Sequence, residues 1–248
     1  MAGAVNVQFV GTGDAFGSGG RLQACIHVSS PATTYLLDCG CSSLIGLNQR
    51  GLDIDQIDTV LISHLHGDHF GGLPFLLLNA KYISQRTRPL TLIGPRGLQK
   101  QVEAACDVLY PGTFSSGFNF DLEYIEPGTG QKLSHTDMDI STFAMRHGHC
   151  GQALGFKIVS SGRTVAYTGD TEWTETLVPL AEDADLLICE CFQYDQPSPS
   201  HLDYATLMIH RQRLRCDNII LTHAGDAMLR DQGPLELKVA HDGLRLTL

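Results

Sequence analysis

Short runs of β-branched and apolar residues recur along the chain, separated by glycine or polar breaks. This spacing predicts strands over Val5–Val10, Thr34–Asp38, Thr59–Ser63, Leu90–Gly94, Leu122–Ile125, Ile140–Met145, Gly155–Val159, Thr164–Thr168, Leu186–Cys189, Asn218–Thr222 and Leu244–Thr247. Apolar residues at three- and four-residue intervals predict helices over Ser42–Gln49, Leu73–Ser84, Gly97–Tyr110, Trp173–Glu182 and Tyr204–Leu214. Strands crowd the middle, and both halves alternate strand with helix. That order predicts an α/β protein in which two mixed β-sheets pack face to face with helices outside, an αββα sandwich. The QPSPS stretch, Gln196 to Ser200, reads as a loop because strand and helix patterns resume on either side. No linker or low-complexity segment divides residues 1–248, so one domain is expected, of a size that buries roughly 70–75% of its unfolded surface.

Composition narrows the classes. Hydrophobic residues at 43% and charged residues at 18% exclude a disordered or fibrous chain. With 17 Lys plus Arg against 27 Asp plus Glu, the net charge of −10 argues against a general nucleic-acid or membrane-surface binder, since both need a basic face. No apolar run reaches the roughly 18 residues of a membrane span and the N-terminal sequence lacks a basic leader, so the expected location is the cytoplasm. The 8 cysteines include the pairs Cys39/Cys41 and Cys189/Cys191 but no CxxC, which reads as reduced thiols, with an accessory metal site as the alternative.

The chemistry concentrates after the predicted strand TVLIS, where His64-Leu65-His66-Gly67-Asp68-His69 sets three imidazoles and a carboxylate within six residues. His64 and His66 are two apart and project to one side of an extended stretch, where they can grip one ion. Asp68 and His69, beyond the turn at Gly67, can face a second. Four ligand-type side chains beside the small residues Gly71 and Gly72 point to a metal loop rather than to core histidines.

This HLHGDH run resembles the HxHxDH signature of the metallo-β-lactamase superfamily, and further motifs resemble it in order along nearly the whole chain: LLDCG with Asp38, TFAMRH with His147, AYTGD with Asp170 and IILTH with His223. The resemblance implies a metallo-β-lactamase fold and a hydrolase with two divalent metal ions. It implies that His64, His66 and His147 hold one ion, that Asp68, His69 and His223 hold the other, that Asp170 bridges them, and that Asp38 orients the loop without binding metal. RHGHC offers both His147 and His149 as the third histidine; His147 is preferred because it continues the alternation of Phe143 and Met145. Nitrogen-rich ligands favour Zn2+, while the carboxylates also suit Mn2+, Fe2+ or Ni2+.

Two divalent ions about 3.5–4 Å apart can share a hydroxide and clamp the oxygens of an in-line displacement, so hydrolysis is the expected reaction. Asp68 can orient that hydroxide or take its proton. A leaving alkoxide needs a proton donor, for which the candidate is His201 in SHLDYATL, with Glu190 in ICECF setting its tautomer. Both positions resemble the proton-transfer pair of the ribonuclease Z-like and phosphodiesterase branch. The bland alternatives are a helix-start residue for His201 and a buried ion-pair partner for Glu190. The long arm of transfer-RNA-processing members, between the third histidine and the bridging aspartate, has no counterpart here; residues 148–169 are accounted for by two strands and a turn at Ser160-Ser161-Gly162.

A small anionic phosphodiester, such as a cyclic nucleotide, is therefore the expected substrate, and a large nucleic acid is not expected. The other readings are a lactonase- or lactamase-type carboxyl ester or amide hydrolase, a ribonuclease Z-like RNA endonuclease, and a non-catalytic metal-bound scaffold. The basic groups Lys81, Arg86, Arg88, Arg96 and Lys100, and Arg211, Arg213 and Arg215, read as solvated faces. His27, His135, His210 and His241 read as surface residues, and Gly11 to Gly20 as a mobile rim of the site. The Leu73–Ser84 helix is apolar on most of its circumference, which points to a homodimer.

Overall fold

The computed structural model describes residues 3–148, 151–230 and 234–248. Its first sheet runs β14-β1-β2-β3-β4-β5-β6, built from β1 (Asn6–Gly11), β2 (Cys25–Ser29), β3 (Thr34–Leu37), β4 (Thr59–Leu61), β5 (Leu90–Ile93), β6 (Leu122–Ile125) and β14 (Arg245–Thr247). The second runs β13-β12-β11-β10-β9-β8-β7, from β7 (Lys132–His135), β8 (Met138–Met145), β9 (Ala153–Ser160), β10 (Arg163–Tyr167), β11 (Leu186–Glu190), β12 (Ile219–Thr222) and β13 (Lys238–Val239). Each sheet is antiparallel at one end and parallel at the other. The helices are α1 (Ser43–Gln49), α2 (Gly67–Phe70), α3 (Leu73–Tyr82), α4 (Leu98–Leu109), α5 (Leu177–Ala181), α6 (Tyr204–His210) and α7 (Asp226–Leu229).

Alternation along the strands builds three layers of core. Val7 and Phe9 of β1, Ile26 and Val28 of β2, Phe156 and Ile158 of β9 and Ile188 of β11 meet between the sheets. Leu36, Val60 and Leu92 face outward under α1, α3 and α4, while Ala166, Leu187 and Leu221 face outward under α5 and α6. The αββα sandwich expected from the pattern is the architecture observed. Ala153–Ser160 and Arg163–Tyr167 form the expected β9–β10 pair, with Ser161 and Gly162 at the turn.

Three strands escaped the sequence pattern for local reasons. β2 interleaves Ile26 and Val28 with Cys25, His27 and Ser29, so it has no apolar run; β7 turns only Leu133 toward the core; β13 is two residues long. The expected Trp173–Glu182 helix contracts to α5, because the segment before it makes a turn with Leu177 N–H on Thr174 O and is tied to β8 by the Thr176 hydroxyl on Ala144 O. The apolar circumference of α3 is largely consumed inside the chain. Leu73, Leu76, Leu77 and Ala80 are buried and Phe75 packs edge-on against Tyr110, so this helix does not by itself call for a second copy. Among the described residues no helix is long and apolar enough to cross a membrane.

Several polar readings change with the fold. Arg86 is buried rather than solvated, donating to the carbonyls of Ile54, Asp55, Ile57, Arg88 and Pro89; Arg88 pairs with Asp58, Arg213 with Glu175 and Arg215 with Glu182. His27 is buried, and His210 stacks on Trp173. The glycine-rich stretch after β1 is pinned by the buried Asp14 carboxylate, which accepts from Phe16 N–H, Ser18 N–H and the Ser18 hydroxyl. Among the described residues seven cysteines are free thiols, and none joins a cluster of metal-type donors.

Candidate metal centre

Every candidate side chain except Glu190 and His201 leaves the chain just past the C-terminal end of a strand or in the turn that follows. Asp38 follows β3, His64 to His69 follow β4, His147 follows β8, Asp170 follows β10 and His223 follows β12, so one edge of the sandwich gathers them. Two of these positions demand unusual backbone. Asp38 and His223 both take left-handed conformations, with φ of 59° and 56°, a strain that persists only where the surroundings fix it. Gly169 is left-handed as well, and a Cβ there would sit 2.5 Å from Ser63 Cβ, so glycine lets Asp170 approach the metal loop.

The donors form two sets. In the first, His66 Nδ1 lies 3.1 Å from His64 Nε2 and 3.0 Å from His147 Nε2. In the second, Asp68 Oδ2 lies 3.2 Å from both His69 Nε2 and His223 Nε2, which are 3.3 Å apart; Asp170 Oδ2 lies 3.3 Å from each of those nitrogens. Asp170 Oδ2 is also 3.9 Å from His64 Nε2 and 3.8 Å from His147 Nε2, which puts it between the sets. His149, the other candidate third histidine, lies outside the described residues.

The donor set fits divalent cations. Four ligands at about 2.0–2.1 Å from a tetrahedral centre stand about 3.3–3.4 Å apart, close to the separations found in the second set. Asp170 Oδ1 and His223 Nδ1 are buried without a hydrogen-bond partner. Burial pushes His64 and His147 below the ordinary imidazole range, toward the neutral form that ligation requires. Burial works against ionisation of Asp68, yet hydrogen bonds from His223 and His69 hold it low; Asp170 is held low against the same burial by the charges of His223 and His69. Burial likewise opposes charge on His69 and His223, but Asp170 outweighs it and raises both.

Three of the ring nitrogens facing away from the centre, those of His64, His69 and His147, are also committed. His69 Nδ1 donates to Asp38 Oδ2 at 2.7 Å, and the same carboxylate accepts from Ser63 N–H, the Ser63 hydroxyl and the Tyr167 hydroxyl, the last at 2.6 Å. Because the Ser63 hydroxyl gives its proton to Asp38, it accepts from His64 Nδ1 at 3.1 Å. His147 Nδ1 donates 2.8 Å to Ser200 O. Each contact leaves Nε2 unprotonated and aimed at the donor sets, the usual arrangement for a metal-binding imidazole. Ser63, Tyr167 and Ser200 were not singled out in the sequence. Tyr167 could have been found from its inward position on β10, three residues before Asp170; Ser200 contributes a backbone carbonyl and left no signal.

His201 stands beside the sets. Its Nδ1 donates toward Glu190, 3.2 Å from Oε1 and 3.3 Å from Oε2, and its ring stacks on His223 at 5.5 Å and packs on Phe192 at 4.9 Å. It is not a helix-start residue: Asp203 caps α6, accepting from Thr206 N–H at 2.8 Å. Glu190 is buried and also accepts from Thr171 N–H and Leu202 N–H. Burial and the nearby Asp170 raise Glu190. Burial would lower His201, but its hydrogen bond to Glu190 prevails and lifts it to about 9.

A family model described as Anti-Pycsar protein Apyc1 matches residues 5–240. The chain belongs to that family. The Apyc1 family match spans every strand but β14 and every donor named above. Beyond it, the chain is 30% identical over 162 residues to a ribonuclease Z of Lachnoclostridium phytofermentans, an alignment covering 65% of this chain and 51% of the relative. It is 27% identical over 266 residues to a ribonuclease Z of Anoxybacillus flavithermus, covering 87% and 85%. The chain thus spans about half the length of the first of these relatives.

Among solved structures, the metallo-β-lactamase fold protein YhfI from Bacillus subtilis superposes with a TM-score of 0.77 at 21% identity, covering 98% of this chain and 99% of that one. The short form of human tRNase Z superposes with a TM-score of 0.78 at 24% identity, covering 97% and 98%. The chain has the metallo-β-lactamase fold. The expectation that large nucleic acids are excluded finds no support here, because the relatives bear the name ribonuclease Z.

Proposed function

We propose that residues 1–248 act as one hydrolase domain, a dinuclear metal-dependent phosphodiesterase whose substrate is a small anionic phosphodiester of cyclic-nucleotide or nucleotide-ester size. The observation that carries this reading is Asp170 Oδ2, 3.3 Å from the nitrogens of one donor set and 3.8–3.9 Å from two nitrogens of the other. His64, His66 and His147 would hold one cation, Asp68, His69 and His223 the other, and Asp170 both, with zinc favoured by five imidazoles. Two divalent cations, when bound, supply Lewis-acid polarisation and activate water for an in-line displacement.

The chain's own residues do the rest. Asp38 holds the proton of His69 Nδ1, and Ser63 and Ser200 O hold those of His64 and His147, so these three rings present unprotonated Nε2 atoms without rearrangement. Asp68 orients the attacking water or takes its proton. Glu190 holds the His201 Nδ1 proton, leaving Nε2 as the nitrogen that gives a proton to the departing oxygen. Bound cations would concentrate positive potential in one cleft, which suits a compact anion.

Assaying bis(p-nitrophenyl) phosphate, a cyclic nucleotide, a short RNA and a lactone panel with the metal-loaded protein separates the alternatives. Diester and cyclic-nucleotide turnover is expected. Lactone turnover alone would replace this reading with a carboxyl ester hydrolase, and RNA cleavage without small-diester turnover would replace it with an endonuclease.

A further inference from the structure

The outer face of the first sheet carries a cavity that the metal centre does not use. Val7, Phe9, Ile26, Val28 and Leu246 point into the intersheet core, so their neighbours on β14, β1 and β2 point the other way. Strand register then lays out two rows of polar side chains, Arg245–Gln8–His27 and Thr247–Asn6–Ser29. These rows floor a cavity of about 400 Å³, and Arg50, Gly51 and Leu52, just after α1, form one wall. The volume lies within the range of about 300–1,000 Å³ usual for small-ligand sites.

The lining of this cavity is basic. On a chain of net charge −10, two arginines line this one cavity, and none of its lining residues is acidic. Arg88, Arg146, Arg163, Arg213 and Arg215 are each ion-paired, whereas among the described residues neither Arg50 nor Arg245 has a carboxylate partner. Arg50 is held in place. Its Nη1 donates 3.0 Å to Gly46 O, and a Cβ on Gly243 would lie 3.8 Å from Nε and Nη2, so the guanidinium packs over that turn. Its Nε is buried with no acceptor. Burial drives His27 down to about 4, so at neutral pH it offers a ring donor and acceptor without adding charge.

We propose that this cavity is a second anion site, separate from the metal centre, that binds a nucleoside monophosphate, its phosphate between Arg50 and Arg245 and its base and sugar along Gln8, His27 and Asn6. Guanidinium pairs suit phosphate because their N–H forks match its oxygens. The floor supplies amide, imidazole and hydroxyl groups for the uncharged part of such a ligand.

Titrating AMP and inorganic phosphate calorimetrically into metal-loaded protein tests this with Arg50→Gln/Arg245→Gln beside the unaltered chain. The double variant should lose one AMP site per chain, or bind there at least about tenfold more weakly, and keep diester turnover within about twofold. Binding should weaken with added NaCl, and phosphate alone should bind more weakly than AMP. Should the double variant not fold, Arg245→Gln, on an exposed position of β14, is expected to weaken AMP about tenfold by itself. Unchanged AMP affinity and stoichiometry in a folded variant overturns the proposal. Loss of the site in a protein that hydrolyses no diester would uphold the cavity and leave the catalytic reading to fail separately.

Discussion

The two donor sets are built from the same kinds of element yet differ in charge and access. The first is three imidazoles, with His66 exposed at the start of α2, and its ring protons rest on a hydroxyl and a backbone carbonyl. The second is buried throughout and joins two imidazoles to two carboxylates, with His69 locked by the fully buried Asp38. A dication is worth more where it neutralises buried carboxylates than where it replaces water around neutral rings. The second set should therefore hold its cation more tightly, and the first should exchange with solvent.

Asp170 offers the harshest way to break this comparison, because it faces both sets. Asp170→Asn should remove at least one cation and lower diester turnover by roughly 10⁴-fold, since each cation contributes several kcal/mol at the transition state; elemental analysis with initial-rate assays checks both. Two retained cations with turnover within tenfold would show that it bridges nothing.

His201 adjoins both sets and belongs to neither. His201→Ala should cost about 10²–10³-fold on diesters with poor leaving groups and little on nitrophenyl esters, which need no proton. Equal loss on both would mean that it positions substrate instead of donating.

Smaller changes act on one set at a time. Asp38→Asn should weaken the second cation about 10–100-fold and leave the first within threefold, measured by competition with a chromogenic chelator. His66→Ala should do the reverse, and in the unaltered protein the chelator should empty the first set before the second. Tyr167→Phe removes one of several donors to Asp38, so an effect of about tenfold or less on the second cation is expected.

How much of this was legible in the sequence follows from what each feature depends on. The seven donors sit at strand ends, where alternation and glycine breaks mark them, and the distances bring all seven together. The shorthand of an extended HLH followed by a turn missed that Gly67–Phe70 is helical; His69 N–H and Phe70 N–H both bond His66 O, which swings Asp68 and His69 toward the second set. Supporting contacts were less visible. Ser200 O reaches His147 across 53 positions and Tyr167 reaches Asp38 across 129, and neither pairing has a local pattern. His27 reads as a surface residue because no ligand-type neighbours accompany it in the sequence; only the register with β1 places it, buried, beside Gln8.

In the proposed function two cations sharing Asp170 drive phosphodiester hydrolysis. Stripping the protein of metal and restoring zinc stepwise, while following cyclic-nucleotide hydrolysis and metal content on the same samples, tests it most directly. Turnover should stay near background through the first equivalent, rise with the second and level off at two per chain. Full turnover at one equivalent, or none at two, would contradict it.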